Sequence, residues 1–227
     1  MIRLHHDEYM DTVVSIQARL GSTRLPGKVL LHLGDHRVLD WVVNRALSVD
    51  FEEADVVVAL GDEPENEAIA ELCRRKNYDS IIGPEDDLLE RHLQVASSGD
   101  YGTLVRLTAD CPFVPSSEID RVITEHERND GRYTTNVTEQ MPIGTAVDVI
   151  DRDVLEELRE LGDSHPVRRL RENPEEWAVV VTPNDQWTAV GEAHTAVDTP
   201  ADYWRLVDAI EAVGTEPRAV TDWIAER

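Results

Sequence analysis

Arg19, Arg24 and Lys28, with Gly21 and Gly27 between them, crowd three cations and two glycines into ten residues. Ser22 and Thr23 sit among them, and an apolar β-branched run (Val13, Val14, Ile16) precedes them, closing on Gln17 and Ala18. Glycine lets backbone N–H groups approach an oxyanion, and arginine and lysine neutralise it, so this composition at a strand end predicts a phosphate cradle. It is not a Walker A loop, which has four residues between its glycines and Ser or Thr after the lysine. Here five residues separate Gly21 from Gly27, and Val29 follows Lys28. A basic surface turn is the other reading of the same residues.

Two single carboxylates stand at other predicted strand ends. Asp110 lies in Ala109-Asp110-Cys111-Pro112, and Asp198 in Asp198-Thr199-Pro200. With the cationic loop they suit a triphosphate and a hard divalent cation, because Mg2+ takes one or two carboxylates and completes its shell with phosphate oxygens and waters. Taken alone, Asp110 reads as a turn residue and Asp198 as an acid flanking a helix.

The elements that must position these groups alternate. Strands are expected at 13–16, 56–60, 80–83 and 103–108, with helices at 38–47, 66–76, 86–97 and from Ser116 or Ser117 to about 127. This βαβα order predicts a mostly parallel central sheet with helices on both faces, where ligands gather at the carboxyl ends of strands. After Gly131 the rhythm changes. Strands are expected at 133–137, 146–150 and 177–182, and helices at 153–161, 165–171 and 201–213. Thr199 fits an N-cap, Pro200 the first helical position and Asp202 a capping-box acid. The whole chain reads as one domain, with 1–11 a frayed lead-in and 132–195 a subregion of different rhythm.

Composition narrows the partners. The 46 acidic residues outnumber 22 Lys and Arg, for a net charge of −24 over 227 residues. Lys28 and Lys76 are the only lysines. An acidic coat of this density argues against nucleic acid or an anionic membrane as a partner. Scarce lysine with abundant Asp, Glu, Val and Ala looks like a cytoplasmic protein of a salt-accumulating halophile, and Lys28 retained in a basic loop points to a function. No apolar run is long enough for a membrane span. Cys73 and Cys111, far apart, suit a reducing compartment.

The segment Ile16-Gln17-Ala18-Arg19-Leu20-Gly21-Ser22-Thr23-Arg24-Leu25-Pro26-Gly27-Lys28 resembles the signature loop of cytidylyltransferases that activate acidic sugars, above all the group of spore-coat polysaccharide protein F. Related enzymes are the 3-deoxy-manno-octulosonate and acylneuraminate cytidylyltransferases. Gly83-Pro84-Glu85-Asp86-Asp87-Leu88-Leu89-Glu90-Arg91, Arg106-Leu107-Thr108-Ala109-Asp110-Cys111-Pro112 and Val197-Asp198-Thr199-Pro200-Ala201-Asp202 extend the resemblance over roughly residues 13–210. It implies a nucleotide-diphospho-sugar transferase fold (Rossmann-like), with Arg19, Arg24 and Lys28 on the triphosphate of CTP. Gln17, Ala18, Gly21 and Ser22 would frame the nucleotide, with Asp87 and Arg91 near its nucleoside. Asp110 and Asp198 would hold Mg2+. A sugar hydroxyl would attack the α-phosphate and release pyrophosphate, and the enzyme would be a homodimer pairing through residues 133–150. Gly144, Asp148 and His165 would lie on the acceptor side.

That side departs from the pattern. Pro142-Ile143-Gly144-Thr145-Ala146-Val147-Asp148 resembles Pro-Arg-Gly-Leu-Asp-Val-Glu, with Ile143 in place of the arginine and Ala146 in place of an acid. His165 stands in an altered frame and reads equally as a helix-capping residue or a general base. Two other functions stay open: a UTP- or GTP-dependent sugar-1-phosphate nucleotidyltransferase, and a non-catalytic nucleotide-binding partner of a glycan enzyme. The charge alone makes one prediction. Molar salt shortens the Debye length to about 3 Å and suppresses self-repulsion of the acidic coat. The melting temperature measured by calorimetry should therefore climb with KCl into the molar range, and a flat profile would contradict a salt adaptation.

Overall fold

A computed structural model describes residues 12–51, 54–129 and 131–227; the expected lead-in over 1–11 falls outside them. The opening apolar run forms β1 (Thr12–Ala18), buried throughout except for a half-buried Gln17, as a strand covered on both faces requires. A short 3-10 turn at Lys28–Leu30 leads to a small hairpin of β2 (His32–Leu33) and β3 (His36–Arg37), then to α1 (Val38–Ala46). β4 (Ala54–Gly61), α2 (Glu67–Lys76), β5 (Asp79–Gly83), α3 (Leu88–Ser98), β6 (Thr103–Thr108) and α4 (Ser116–Arg128) continue the alternation. α2 carries Glu67 in its first turn and Arg74, Arg75 and Lys76 in its last, the order that suits the helix dipole. Beyond it come β7 (Tyr133–Thr135), β8 (Asp148–Asp151), α5 (Arg152–Glu160), α6 (Arg168–Glu172), β9 (Val180–Val181), α7 (Asp185–Thr188), α8 (Pro200–Val213) and α9 (Pro217–Ala225).

The sheet runs β5-β4-β1-β6-β8-β7-β9. β5, β4, β1 and β6 are mutually parallel; β8 is antiparallel to β6 and to β7, and β9 is parallel to β7. The result is the mostly parallel sheet that the βαβα order predicts. From β1 the chain moves outward to β4 and β5, then returns to β6 on the other side of β1. Strand order therefore reverses at β1, and in open α/β sheets the crevice beyond such a reversal is where ligands bind.

Helices cover both faces. α1, α2 and α4 pack on one through Leu39, Val43, Ile69, Cys73, Ile119 and Ile123. α3, α5 and α6 pack on the other through Leu89, Leu93, Leu155, Leu158 and Leu170. α8 and α9 form a third cluster with Leu33, Val38 and Phe113. α9 is absent from the sequence-based expectation, although Glu216 caps it and Pro217 occupies its first turn. The late strands are shorter than expected. β9 has two residues, and the chain turns through Ala178, at φ 46, two positions before it. Among the described residues no helix is long and apolar enough to cross a membrane. Cys73 and Cys111 are free and buried.

Three expectations for 133–150 change with the fold. Tyr133 to Thr135 are fully inside the sheet, with β8 on one side and β9 on the other, so this segment offers no open strand edge for dimer pairing. Gly144, at φ 101, lies outside the main cleft and packs where a Cβ would strike Thr195 and the backbone N of Ala196. Its neighbour Ile143 donates to Ala193 O and accepts from Thr195 N, which ties the turn to the segment leading to Asp198.

Asp148 is likewise buried. Oδ2 accepts from Arg106 Nη1 at 2.8 Å, and Oδ1 accepts from Arg171 Nη2 at 2.6 Å, Tyr133 Oη at 2.8 Å and Thr135 Oγ1 at 2.9 Å. Burial alone would raise its pKa, but the two guanidinium groups outweigh burial and hold the carboxyl below the usual range. A carboxyl with a depressed native pKa adds stability above its unfolded pKa and loses it as pH falls through the native value. Asp148→Asn removes the buried charge that half-buried Arg106 and solvent-accessible Arg171 both face and should cost about 3 kcal/mol, the lower end for a buried pair. Chemical denaturation in molar KCl should show this, together with a weaker acid dependence of stability than wild type.

Candidate active site

The cleft opens where the topology places it, beyond the carboxyl ends of β1, β5 and β6, with a volume of about 470 Å³. The loop after β1 forms one wall. Ser22 N and Gly27 N both donate to Leu20 O, and Gly27 turns the chain at φ 73, in the left-handed region where glycine carries no steric penalty. Leu20 N donates to Asn66 Oδ1 at 2.8 Å. The Asn66 amide donates to Gly61 O and, at 2.9 Å, to Glu85 Oε2. Gly61 has no side chain because the Glu85 carboxylate fills that space. Asn66 and Glu85 therefore brace the loop, and composition could not single them out, because each acts through a partner distant in sequence.

The loop's cations are each held by an acid. Arg19 Nη1 lies 3.3 Å from Glu85 Oε1, and Arg24 Nη2 lies 2.9 Å from Asp198 Oδ1. Lys28 Nζ donates to Asp110 Oδ2 at 2.5 Å and to Asp198 Oδ1 at 3.0 Å. Burial would lower the lysine's pKa, yet the two carboxylates raise it, so the ammonium stays charged. Asp198 is held below the ordinary carboxylate range, because Lys28, Arg24 and His194 outweigh its partial burial. His194 Nε2 stands 3.3 Å from Asp198 Oδ2, close enough for an ionic contact but not aligned as a hydrogen bond.

Backbone bonds fix the two acidic loops. Ala109 N donates to Gln17 O at 3.0 Å, joining the ends of β6 and β1, and Val197 N donates to Asp110 O at 2.8 Å. Arg45 Nε donates to Pro112 O and clamps the turn after Asp110. On the other side, Thr199 caps α8: Asp202 N donates to Thr199 Oγ1 and Thr199 N donates to Asp202 Oδ2, with Pro200 in the first turn. This is the capping box that the sequence predicts, and it sets the direction in which Asp198 leaves the chain.

Gln17, Ala18, Arg19, Gly21, Ser22, Arg24, Lys28, Arg91, Asp110, His165 and Asp198 all line the cleft. Asp87 does not: its carboxylate caps α3 by accepting from Glu90 N at 2.9 Å. Arg91 borders the cleft, but its guanidinium is buried and donates to Pro84 O and Glu85 O, which makes it a brace for that loop. His165 Nδ1 accepts from Val167 N at 3.3 Å. Burial and the nearby Arg106, Arg168 and Arg171 push its pKa down to about 4, so the ring is neutral near pH 7. Cys111 packs beneath its loop with the thiol pKa raised by burial. Gln17 Oε1 accepts from Arg106 Nε at 2.9 Å, which links the cleft to buried Asp148. Arg168 also lines the cleft and is absent from the sequence-based site.

The cytidylyltransferase family model matches residues 13–179. The spore coat polysaccharide biosynthesis protein SpsF of Bacillus subtilis is 28% identical over 218 residues, covering 91% of this chain and 89% of that protein. A 3-deoxy-manno-octulosonate cytidylyltransferase of Xanthomonas campestris is 32% identical over 149 residues, covering 65% of this chain and 51% of that enzyme. The structure of a cytidylyltransferase from Leptospira borgpetersenii superposes with a TM-score of 0.86 at 28% identity, covering 96% of this chain and 95% of that one. The chain belongs to the cytidylyltransferase family and is a nucleotidyltransferase.

The cleft's ion pairs should differ in their effect on stability. Lys28→Met leaves two partly buried carboxylates without their shared cation and should cost about 2–3 kcal/mol, somewhat less than a fully buried pair. Arg24→Ala removes one exposed partner and should cost about 1 kcal/mol or less. Chemical denaturation of the ligand-free proteins in molar KCl separates the two. Equal losses would mean that Lys28 is not the joint between the loops.

Proposed function

We propose that this protein transfers CMP from CTP to a sugar, with release of pyrophosphate, for surface-glycan synthesis. The observation that carries the reading is the meeting of Arg19, Arg24 and Lys28 with Asp110 and Asp198 in one cleft at the strand-order reversal. The names of the B. subtilis and X. campestris relatives support a cytidine nucleotide and a polysaccharide setting.

The donor set fits a divalent cation of the Mg2+ type. Two carboxylates converge on one point, at present the Lys28 ammonium. Among the described residues no group of three His, Cys, Asp or Glu side chains forms a cage made by the protein alone. Hard oxygen ligands few in number match an ion that keeps phosphate oxygens and waters. Asp110 and Asp198 would hold it, and when bound it would supply neutralisation of charge developing on the phosphates.

The chain's own residues do the rest by position. Arg19 and Arg24 exchange Glu85 and Asp198 for phosphate oxygens, which are also hydrogen-bond acceptors and carry more charge. The Gly21–Gly27 backbone approaches the phosphates closely. In-line displacement at the α-phosphate asks little covalent work of the protein, so alignment and electrostatic stabilisation account for the rate.

The test is a thermal-shift panel of the four nucleoside triphosphates with Mg2+ in molar KCl. A ligand at about 100 times its Kd adds roughly 2.7 kcal/mol. CTP alone should raise the melting temperature, Arg24→Ala should reduce the shift, and EDTA should diminish it. Pyrophosphate release with sugars should vanish in Asp110→Asn. A shift with UTP or GTP in place of CTP would overturn the nucleotide assignment, and CTP binding without pyrophosphate release from any sugar would favour a binding protein.

A further inference from the structure

In this strongly acidic chain the cations are accounted for almost completely. Among the described residues every lysine and arginine other than Arg168 makes a side-chain hydrogen bond or ion pair. Arg168 makes none, although Arg169 and Arg171 beside it hold Asp163 and Asp148. Glu172, one helical turn further on, is spaced to pair with it and does not. Arg168 is exposed, and it lines the cleft.

Its surroundings are those of a specific subsite. Leu89 N donates to Ser164 O at 3.0 Å, which pins the start of this segment to α3. His165 lines the same cleft, and its Nδ1 accepts from Val167 N, so in the neutral ring the proton sits on Nε2. The wall thus offers one unpartnered guanidinium and a neutral N–H donor, in a stretch that contributes no carboxylate to the cleft. A planar guanidinium fork matches a carboxylate with two parallel hydrogen bonds.

Chemistry separates this wall from the phosphate cradle. In an in-line displacement the attacking oxygen enters opposite the departing pyrophosphate. The β1 loop carries the cations for the phosphates, whereas Arg168 comes from α6, which packs with α3 and α5 on the face opposite α1, α2 and α4. We propose, resting on the function above, that Arg168 is the specificity-determining residue for the acceptor, binding the carboxylate of a sugar acid while His165 donates to an adjacent oxygen.

The test titrates sugars into wild type and Arg168→Gln, free and saturated with CMP, by calorimetry in molar KCl. The probes are glucuronate, N-acetylneuraminate and 3-deoxy-manno-octulosonate, the neutral sugars glucose and N-acetylmannosamine, and glucose 1-phosphate. CTP is titrated separately into both proteins. Arg168→Gln should keep its melting temperature and bind CTP within about twofold of wild type, while at least one sugar acid loses about tenfold or more in affinity. Arg168→Lys, which keeps the charge without the fork, should fall between the two. Sugar acids bound equally by wild type and Arg168→Gln would overturn the proposal. So would neutral sugars bound as tightly as acids, glucose 1-phosphate bound in preference to every acid, or no acid bound at all. A loss of CTP affinity in Arg168→Gln would reassign the residue to the triphosphate and likewise overturn it. Failure of CTP to bind wild type, with the sugar acids still dependent on Arg168, would remove the nucleotide reading and leave this site standing.

Discussion

The ammonium of Lys28, held between Asp110 and Asp198, joins three segments that are distant in sequence and sets the mouth of the cleft. Two carboxylates aimed at one point repel each other strongly when partly desolvated, and a cation between them reverses the sign of that interaction. The backbone bonds from Ala109 to Gln17 and from Val197 to Asp110 hold the loops, but they do not explain why two acids tolerate each other. Lys28 does. It also answers why a lysine stands here in a chain with only one other. Arginine's planar fork suits one carboxylate bidentately, whereas an ammonium presents three donors from a single atom and serves two acids arriving from different directions.

Every cation of the cradle is paired in the free protein, and this reconciles a phosphate site with a net charge of −24. The cradle does not stand as bare positive charge in an acidic surface. Glu85 and Asp198 hold Arg19 and Arg24 in place, half-organised for an incoming anion, and are themselves restrained by Asn66 and His194. The coat imposes a kinetic cost. A triphosphate approaching an acidic surface is repelled at long range, and salt screens this repulsion far more than the short contacts inside the cleft. Screening of a net charge of −24 therefore bears on access to the site as well as on the fold.

The sequence was legible where function and local geometry coincide. The cationic loop, the two single carboxylates and the Thr199-Pro200-Asp202 cap each announce themselves within a few residues, and the βαβα order places them at strand ends. It was illegible where a residue's role depends on what the fold brings against it. An acid in a strand, such as Asp148, reads as a ligand until burial among Arg106, Arg171 and Tyr133 shows it to be an anchor. Asp87 looks like a cleft acid and is a helix cap, a role its own spacing to Glu90 encodes. Gly144 is required by a left-handed turn against Thr195. α9 follows its helix-start signals, Glu216 and Pro217, but the apolar face that stabilises it lies on α8 and the β2–β3 hairpin, which no local pattern reveals.

These reassignments change how the two halves of the sheet divide the work. The parallel half, β5 to β6, ends in loops whose side chains reach the cleft. The antiparallel half is different: β7 and β8 bury their polar residues in an ionic layer around Asp148, which Arg106 connects to Gln17 at the cleft floor. A buried layer with matched charges is rigid, because loosening any member exposes an unpaired ion to a poor solvent. It supports the cleft floor through Arg106 and Gln17. Ser164, His165 and Arg168, on the connection after α5 and at the start of α6, line the cleft outside that layer's charge pairs. Loops carried on a rigid scaffold are where side chains can change without disturbing the core. The same logic accounts for Ile143 and Ala146, where the chain departs from the pattern it otherwise follows: both flank a turn that directs the chain toward Asp198, so their side chains are free to change as long as the turn itself is kept.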